Sequence, residues 1–338
     1  MIVDCAHYAD GLRQREEQLD IGVAAEIFRQ GEDGFVWIAL LEPDSAELAE
    51  VQSLFGLHDL AVEDAQAYHL RPKVELYEDG QVLFAVIRTA QYVDDREDVE
   101  FGEVSIFLSS RFLITVRRGV ASDLAHARRN VEARPELLKM GPAAGLWAIL
   151  DKIVDDYAPV VAGLENDVEQ IEANVFRGTA AATERIYKLR REATDFYRAV
   201  HPLLGPLDTL ERTVYPQVGK QLRPFFRDVN DHLKFVNEEV LGLRDVLATV
   251  LQANIAVISL EQNDINVRQN ETTKQLTIIA TIFLPLSFLT GFFGQNFGWL
   301  VAHIAHLWEF LVFGLGSLAA SCAVLFAWFR RGGLTGSG

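Results

Sequence analysis

The spacing of apolar residues divides the chain into stretches of different period. From residue 35 to 118 the two-residue period of strands mixes with the 3.6-residue period of helices. Phe35 to Leu41 (FVWIALL) is a run of the kind buried strands carry. SAELAEVQSLFG follows Pro43 with helical spacing and stops at Gly56. QVLFAVIRTAQYV, EVSIFLSS and RFLITVRR read as strands, the last two close enough for a hairpin. An acidic loop, Asp94 to Glu100, is expected between the first of these and the second. After Ser122 only helical spacing remains. Two long helical patterns, LWAILDKIVDDYAPVVAGLENDVEQIEANVF and TERIYKLRREATDFYRAVHPLLGPL, are expected to join near Gly178. Beyond Pro216 and Pro224, the stretch from Phe225 to Phe293 contains only Pro285 as a breaker. As one helix it would run on the order of 100 Å at about 1.5 Å per residue.

Two apolar runs close the chain. No Asp, Glu, Lys or Arg occurs from Gln275 to Trp308, and Phe310 to Phe329 is equally free of charge. Each run approaches the roughly 20 residues that cross a hydrocarbon core of about 30 Å. Two in tandem predict a membrane hairpin; the alternative is a pair of buried core helices. Lys274 precedes the first run and Arg330-Arg331 ends the second, which puts both termini on the cytosolic side of the cell (inner) membrane. The acidic start, MIVDCAHYADGLRQREEQLD, lacks the apolar core of a signal peptide. The expected organisation is a cytosolic α/β domain at 1–121, a helical domain at 122–224 and a stalk helix at 225–275. A pore-lining first span (276–296), an outer loop (297–307), a second span (308–329) and a cytosolic tail (330–338) follow. The fold class is α+β with long stalk helices and a two-helix transmembrane hairpin.

Composition sharpens this picture in two ways. Across 338 residues, 48 acidic side chains against 31 basic ones leave a net charge of −17, which repels phosphates and argues against a nucleic-acid partner. The same charge could concentrate cations at a cytosolic surface or could merely solubilise it. The two cysteines, Cys5 and Cys322, fall in different compartments and predict no disulfide.

Steps of 3 and 4 back from Gly294 meet Gly291, Ser287, Leu284, Ala280, Thr277, Thr273, Asn270, Asn266, Asn263, Ser259, Ala256 and Gln252. One side of the long helix is thus small or polar through the membrane and far below it. A coiled-coil seam would be apolar here, and so would a lipid-facing side. The stripe suits a helix facing a wet axis among its own copies, with Leu284 as a dewetting constriction and Leu276 at the inner end. The other reading is a solvated stalk followed by small residues that serve helix packing. On the pore reading, Gly294, Gln295 and Asn296 form the outer mouth. Their amide and carbonyl oxygens can hydrogen-bond hydrated magnesium without stripping it. In isolation the same triplet also reads as a helix cap and turn.

Several motifs resemble the CorA family of divalent-cation transporters, and together they span most of the chain. They are LHDLAVEDAQAYHLRPKVELYEDG, EVSIFLSSRFLITVRR, GLWAILDKIVDDYAPVV, FRDVNDH and KQLTIIATIFLPLSFLTGFFGQNF. The resemblance implies a homopentameric funnel in the lipid bilayer, with the first span lining the pore. It implies magnesium as substrate, with cobalt or nickel also carried. It further implies magnesium as a regulator, bound between neighbouring cytosolic domains and holding the pore shut. Asp228 of FRDVND matches one regulatory residue, and Asp94 or Asp95 is the nearest candidate for its partner; each could equally be an ordinary solvated acid. Three features depart from the family pattern. Gln295 replaces the Met of Gly-Met-Asn, no acidic residue occurs in the outer loop before Glu309, and the stalk near Ile258 to Glu271 runs about one heptad longer, which keeps the same face inward.

His303 and His306 could begin a zinc site, although three or four ligands are normal. The related ZntB branch, associated with zinc, also departs from Gly-Met-Asn. Three functions therefore compete: a channel-like magnesium transporter, a zinc or broader divalent-cation transporter of the same build, and a membrane sensor or scaffold that does not conduct. No Gly-rich phosphate loop, His-Glu-x-x-His or nucleophile motif supports an enzyme.

Overall fold

A computed structural model describes residues 1–68, 71–119, 123–177, 182–212, 215–295, 297–303 and 306–331. The joint expected near Gly178, Asn296 and all of the expected tail beyond Arg331 lie outside the described residues.

Met1–Ile255 forms one compact unit and Ala256–Gly338 another. The first is built on a seven-stranded sheet. Its strands are β1 (Ile2–Ala9), β2 (Leu12–Arg13), β3 (Phe35–Leu41), β4 (Lys73–Tyr77), β5 (Val82–Val93), β6 (Asp98–Leu108) and β7 (Phe112–Gly119). Their order is β2-β1-β3-β7-β6-β5-β4. Among the described residues only β3 and β7 pair in parallel, with Val36 beside Phe112. The helices of this unit are α1 (Ile21–Gln30), α2 (Ser45–Phe55), α3 (Asp59–Gln66), α4 (Leu124–Glu132), α5 (Pro135–Leu138), α6 (Pro142–Asp155), α7 (Tyr157–Phe176), α8 (Ala182–Val200) and α9 (Leu204–Arg212).

Alternation along the strands fixes which layer each residue meets. Val36, Ile38 and Leu40 of β3 join Ile114 and Val116 of β7 in a core closed by α1, α2 and α3. Trp37 points to the opposite layer, where the Arg128 guanidinium of α4 lies 4.3 Å from its ring centre. α6 reaches the sheet at Gly145, where an added Cβ would meet Leu113 and Trp37. The start of the chain, unassigned by its pattern, supplies β1, β2 and α1. The acidic loop expected from Asp94 to Glu100 is much tighter than that. A turn over Asp94–Arg96 leads through Glu97, in the left-handed conformation, directly into β6. Val93 pairs with Asp98, so β5 and β6 form one long hairpin.

α7 packs on this hairpin through Gly163. A Cβ there would stand 2.4 Å from the Tyr92 ring. Gly163→Ala should therefore destabilise the fold by about 1–3 kcal/mol, outweighing roughly 1 kcal/mol of gained helix propensity. Thermal unfolding of the solubilised protein should show a lower midpoint than the parent; an equal or higher midpoint would refute this packing.

α10 (Arg223–Phe293) is one helix of 71 residues, about 105 Å long at about 1.5 Å per residue. Its buried residues, from Phe226, Val229 and Leu233 through Leu247, Val250 and Asn254, recur every three or four positions. After Asn254 none of its residues is buried. In the second unit the rest of α10 is accompanied by α11 (Gly298–His303), α12 (Leu307–Glu309), a π-helical turn at Phe310–Leu315 and α13 (Gly316–Arg331).

Candidate pore and metal-sensing sites

The apolar end of α10 and the helical stretch Leu307–Phe329 are each long and apolar enough to cross a membrane. No residue in the most apolar window of α10 is buried by the rest of the chain. Exposed Ile279, Phe283, Phe288 and Phe292 would be costly in water. Lipid or other subunits must cover them.

Shielding along this span is one-sided. Ile278, Thr281, Ile282, Pro285, Leu286, Leu289 and Phe293 are half-buried. In the second stretch the shielded positions are Glu309, Gly314, Gly316, Ser317, Leu318, Ser321, Cys322, Leu325 and Phe329. Both sets recur at helical spacing, so each helix has one partly shielded side. Thr277, Ala280, Leu284, Ser287, Gly291 and Gly294 remain exposed as a group, as do Asn266, Asn270 and Thr273 below them. Leu276 and Leu284 are 63% and 75% exposed, so neither is anchored in the chain's own core.

The polar groups on the stripe are oriented by the helix itself. Thr277 donates its hydroxyl hydrogen to the Thr273 carbonyl at 2.8 Å. With the donor occupied, the oxygen lone pairs are what Thr277 offers outward, and these are the acceptors that cation-bound water seeks. At the end of α10, Gly294 N–H donates to Thr290 O at 2.9 Å and Gln295 N–H to Phe292 O at 3.3 Å. Phe297 N–H donates to the Gln295 carbonyl at 2.9 Å. Gly294 and Gln295 therefore sit at the negative end of the helix dipole, which favours cations.

In the outer segment the His303 ring stacks on Trp299 with centres 4.4 Å apart, and its Nδ1 lies 2.9 Å from the Trp299 carbonyl. His306 caps α12, its backbone N–H donating to Glu309 Oε2. The structure thus engages the two histidines in separate local contacts. Among the described residues, no group of three or more His, Cys, Asp or Glu side chains is placed to hold a metal within one chain.

Asp228 and the pair Asp94–Asp95 occupy different neighbourhoods. Asp228, in the first part of α10, faces α6. Burial pushes the Asp151 carboxyl of α6 above its ordinary value, and the negative charges of Asp155 and Asp228 push it further. His232 Nδ1, one turn along α10 from Asp228, lies 3.5 Å from Asp155 Oδ1. Asp151 and Asp155 had no place among the sequence candidates, although their i, i+4 spacing puts both on one face of α6.

Asp94 and Asp95 lie in the β5–β6 turn, which is tied to α7 and α8. Arg185 of α8 binds Glu97 through two hydrogen bonds of 2.9 and 3.0 Å, a fork that fixes geometry as well as charge. It also reaches Asp167 Oδ1 of α7 at 3.3 Å, while the Tyr92 hydroxyl donates to Asp167 Oδ2 at 2.6 Å. Lys188 donates to the carbonyls of Arg96 and Glu97 at 2.7 and 3.0 Å.

Comparison with known proteins agrees with this architecture. Residues 32–331 match the family model described as CorA-like Mg2+ transporter protein. The cobalt/magnesium transport protein CorA of Thermotoga maritima is 29% identical over 249 residues, covering 73% of this chain and 68% of that protein. The zinc transport protein ZntB of Yersinia enterocolitica is 22% identical over 270 residues, covering 78% and 77%. The solved CorA magnesium transporter of Methanocaldococcus jannaschii superposes with a TM-score of 0.65 at 19% identity, over 98% of each chain.

Proposed function

The chain belongs to the CorA-like Mg2+ transporter family, and from that premise we propose that it conducts divalent cations, magnesium first among them, along the axis of a homopentamer. It is a transporter of the cell's inner membrane and not an enzyme. The observation that carries the pore reading is the one-sided shielding of the first span. Ile278, Ile282, Leu286 and Leu289 are partly shielded on one side, while Thr277, Ala280, Leu284, Ser287, Gly291 and Gly294 stay open, as do the apolar Ile279, Phe283, Phe288 and Phe292 that suit lipid. A polar stripe turned to lipid would be costly. Turned toward four symmetric copies, it lines water. Leu284 forms the narrow apolar ring, and the mouth is built by Gly294, Gln295 and Asn296 at the negative ends of five helices. A divalent ion moving inward through about 100 mV gains on the order of 4.6 kcal/mol, twice the value for one charge, so no other energy source is required.

Closure is assigned to magnesium bound at Asp228, with Asp151 and Asp155 beside it and Asp94 or Asp95 supplied by the neighbouring subunit. The charges of Asp155 and Asp228 raise the Asp151 carboxyl, and a divalent cation completed by the neighbouring subunit's acid would relieve that repulsion. The competing zinc reading draws support from the likeness to ZntB and from Gln295 in place of methionine. Liposomes containing the purified protein and loaded with a magnesium dye, or with a zinc dye under an imposed proton gradient, separate the readings. Magnesium entry without a gradient supports the magnesium channel. Zinc entry that needs the gradient supports the alternative. No flux of either ion leaves the non-conducting sensor or scaffold.

A further inference from the structure

The ties between the β5–β6 turn and α8 include a buried acid that the transport mechanism does not use. Glu192 sits on α8, one turn beyond Lys188, and is 7% exposed. Its Oε2 is buried without a hydrogen-bond partner among the described residues. Its other oxygen lies 3.7 Å from Lys188 Nζ, the ammonium that holds the carbonyls of Arg96 and Glu97. Acidic groups approach from the elements packed on α8. They are Asp98 of β6 and Asp167 of α7; Asp167 in turn accepts from the Tyr92 hydroxyl of β5 and from Arg185, which also holds Glu97 of the turn. Arg185 of the same helix is committed to Glu97, Asp167 and Gln170.

We propose that Arg185, Lys188 and Glu192 form a proton-controlled latch in which α8 positions the turn carrying Asp94 and Asp95. Two forces act in the same direction when Glu192 ionises. The new carboxylate competes with the turn carbonyls for the Lys188 ammonium. It also repels Asp98, which belongs to the hairpin being held. Protonated, Glu192 leaves Lys188 to the turn and removes the repulsion. A glutamine-like neutral group is the state that this buried place favours, because an ionised carboxyl with an unpartnered oxygen is costly to bury.

Burial, reinforced by Asp98 and Asp167 and opposed by Lys188, pushes the Glu192 carboxyl from its ordinary 4.5 up to about 7. The folded chain therefore binds this proton more tightly than the unfolded chain does. The stability it contributes is complete below the ordinary value and is lost as pH rises through about 7. The latch holds at slightly acid cytosolic pH and loosens above neutrality. Its consequence for gating rests on the assignment of Asp94 or Asp95 as half of the magnesium sensor. A turn held in place needs less magnesium to complete the site, so acid conditions favour closure.

Two readouts on the full-length protein in liposomes test the latch. The first is amide hydrogen exchange over residues 92–100, expressed as protection relative to intrinsic rates. In the parent, protection should fall roughly fivefold between pH 6 and pH 8, the low end of usual coupling between sites. In Glu192→Gln it should stay at the acid value throughout. Protection independent of pH in the parent, or the same pH dependence in Glu192→Gln, overturns the proposal. Asp98→Asn gives an independent check even if Glu192→Gln fails to fold. Removing that charge should move the transition to lower pH, and an unmoved midpoint also overturns the latch. The second readout is the magnesium concentration that halves flux, which should rise with pH in the parent and stay constant in Glu192→Gln. Turn protection that responds while closure does not would support the latch and reject Asp94 and Asp95 as the sensor.

Discussion

Asn296→Ala should lower magnesium flux roughly hundredfold at unchanged protein density in the bilayer. The size follows from symmetry. In the proposed homopentamer one substitution removes five amide groups at the proposed mouth, where a hydrated ion must be recognised. Losing two or three net hydrogen bonds of about 1 kcal/mol each, out of the five, already approaches the roughly 2.8 kcal/mol that a hundredfold change requires. Magnesium cannot compensate by shedding water onto the remaining carbonyls, because it dehydrates reluctantly and demands near-ideal octahedral geometry. Dye-loaded liposomes read the result directly. Flux within twofold of the parent would remove Asn296 from the mouth.

Asp228→Ala should raise the magnesium concentration needed for closure by more than about tenfold, leaving current at millimolar levels that shut the parent. Charge-assisted contacts are worth about 1.5–3 kcal/mol each, and a tenfold change needs only about 1.4 kcal/mol. Asp228 also acts on its neighbours. It is one of the charges that raises the Asp151 carboxyl, so removing it relaxes the repulsion from which a cation gains. Titration of flux with magnesium on the sensing side decides the matter. Closure at the parent's concentration would return Asp228 to the role of an ordinary surface acid.

Which parts of this were legible in the sequence follows from how far apart the interacting residues lie. The strand at Phe35–Leu41, the helix ending at Gly56, the long helix through Phe293 and the two apolar runs each declare themselves within a short window. The stripe is equally local, since a helix repeats its faces every few residues. β1 was not read because IVDCAHYA mixes acidic and half-polar positions, and it becomes a strand by pairing with β3, Cys5 beside Ile38. The acidic stretch after Val93 reads as a loop because six of its seven residues, from Asp94 to Glu100, are charged and Val99 alone is apolar. The hairpin instead continues through Val99 and the Gly102–Thr89 pairing.

The sensing sites were harder to read for the same reason. Asp151 and Asp228 come from helices that meet only in the folded unit. Arg185 and Glu97 are 88 positions apart. Gly163 gives no hint in its own window that the Tyr92 ring will cross it to reach Asp167. Such pairs depend on how helices settle on the sheet, and local periodicity carries no record of that. Gly294 and Gln295 are a different case. Their position at a helix end was readable, while the engagement of the Gln295 carbonyl was not.

The central claim is that the open stripe of the first span faces a conducting axis. Single cysteines placed along α10 in a background without Cys5 and Cys322, then exposed to a positively charged thiol reagent during flux, test it most directly. The account predicts block at Thr277→Cys and Ser287→Cys, with Ile279→Cys and Phe283→Cys conducting as before. Block at Ile279 and Phe283 with Thr277 and Ser287 untouched would contradict it.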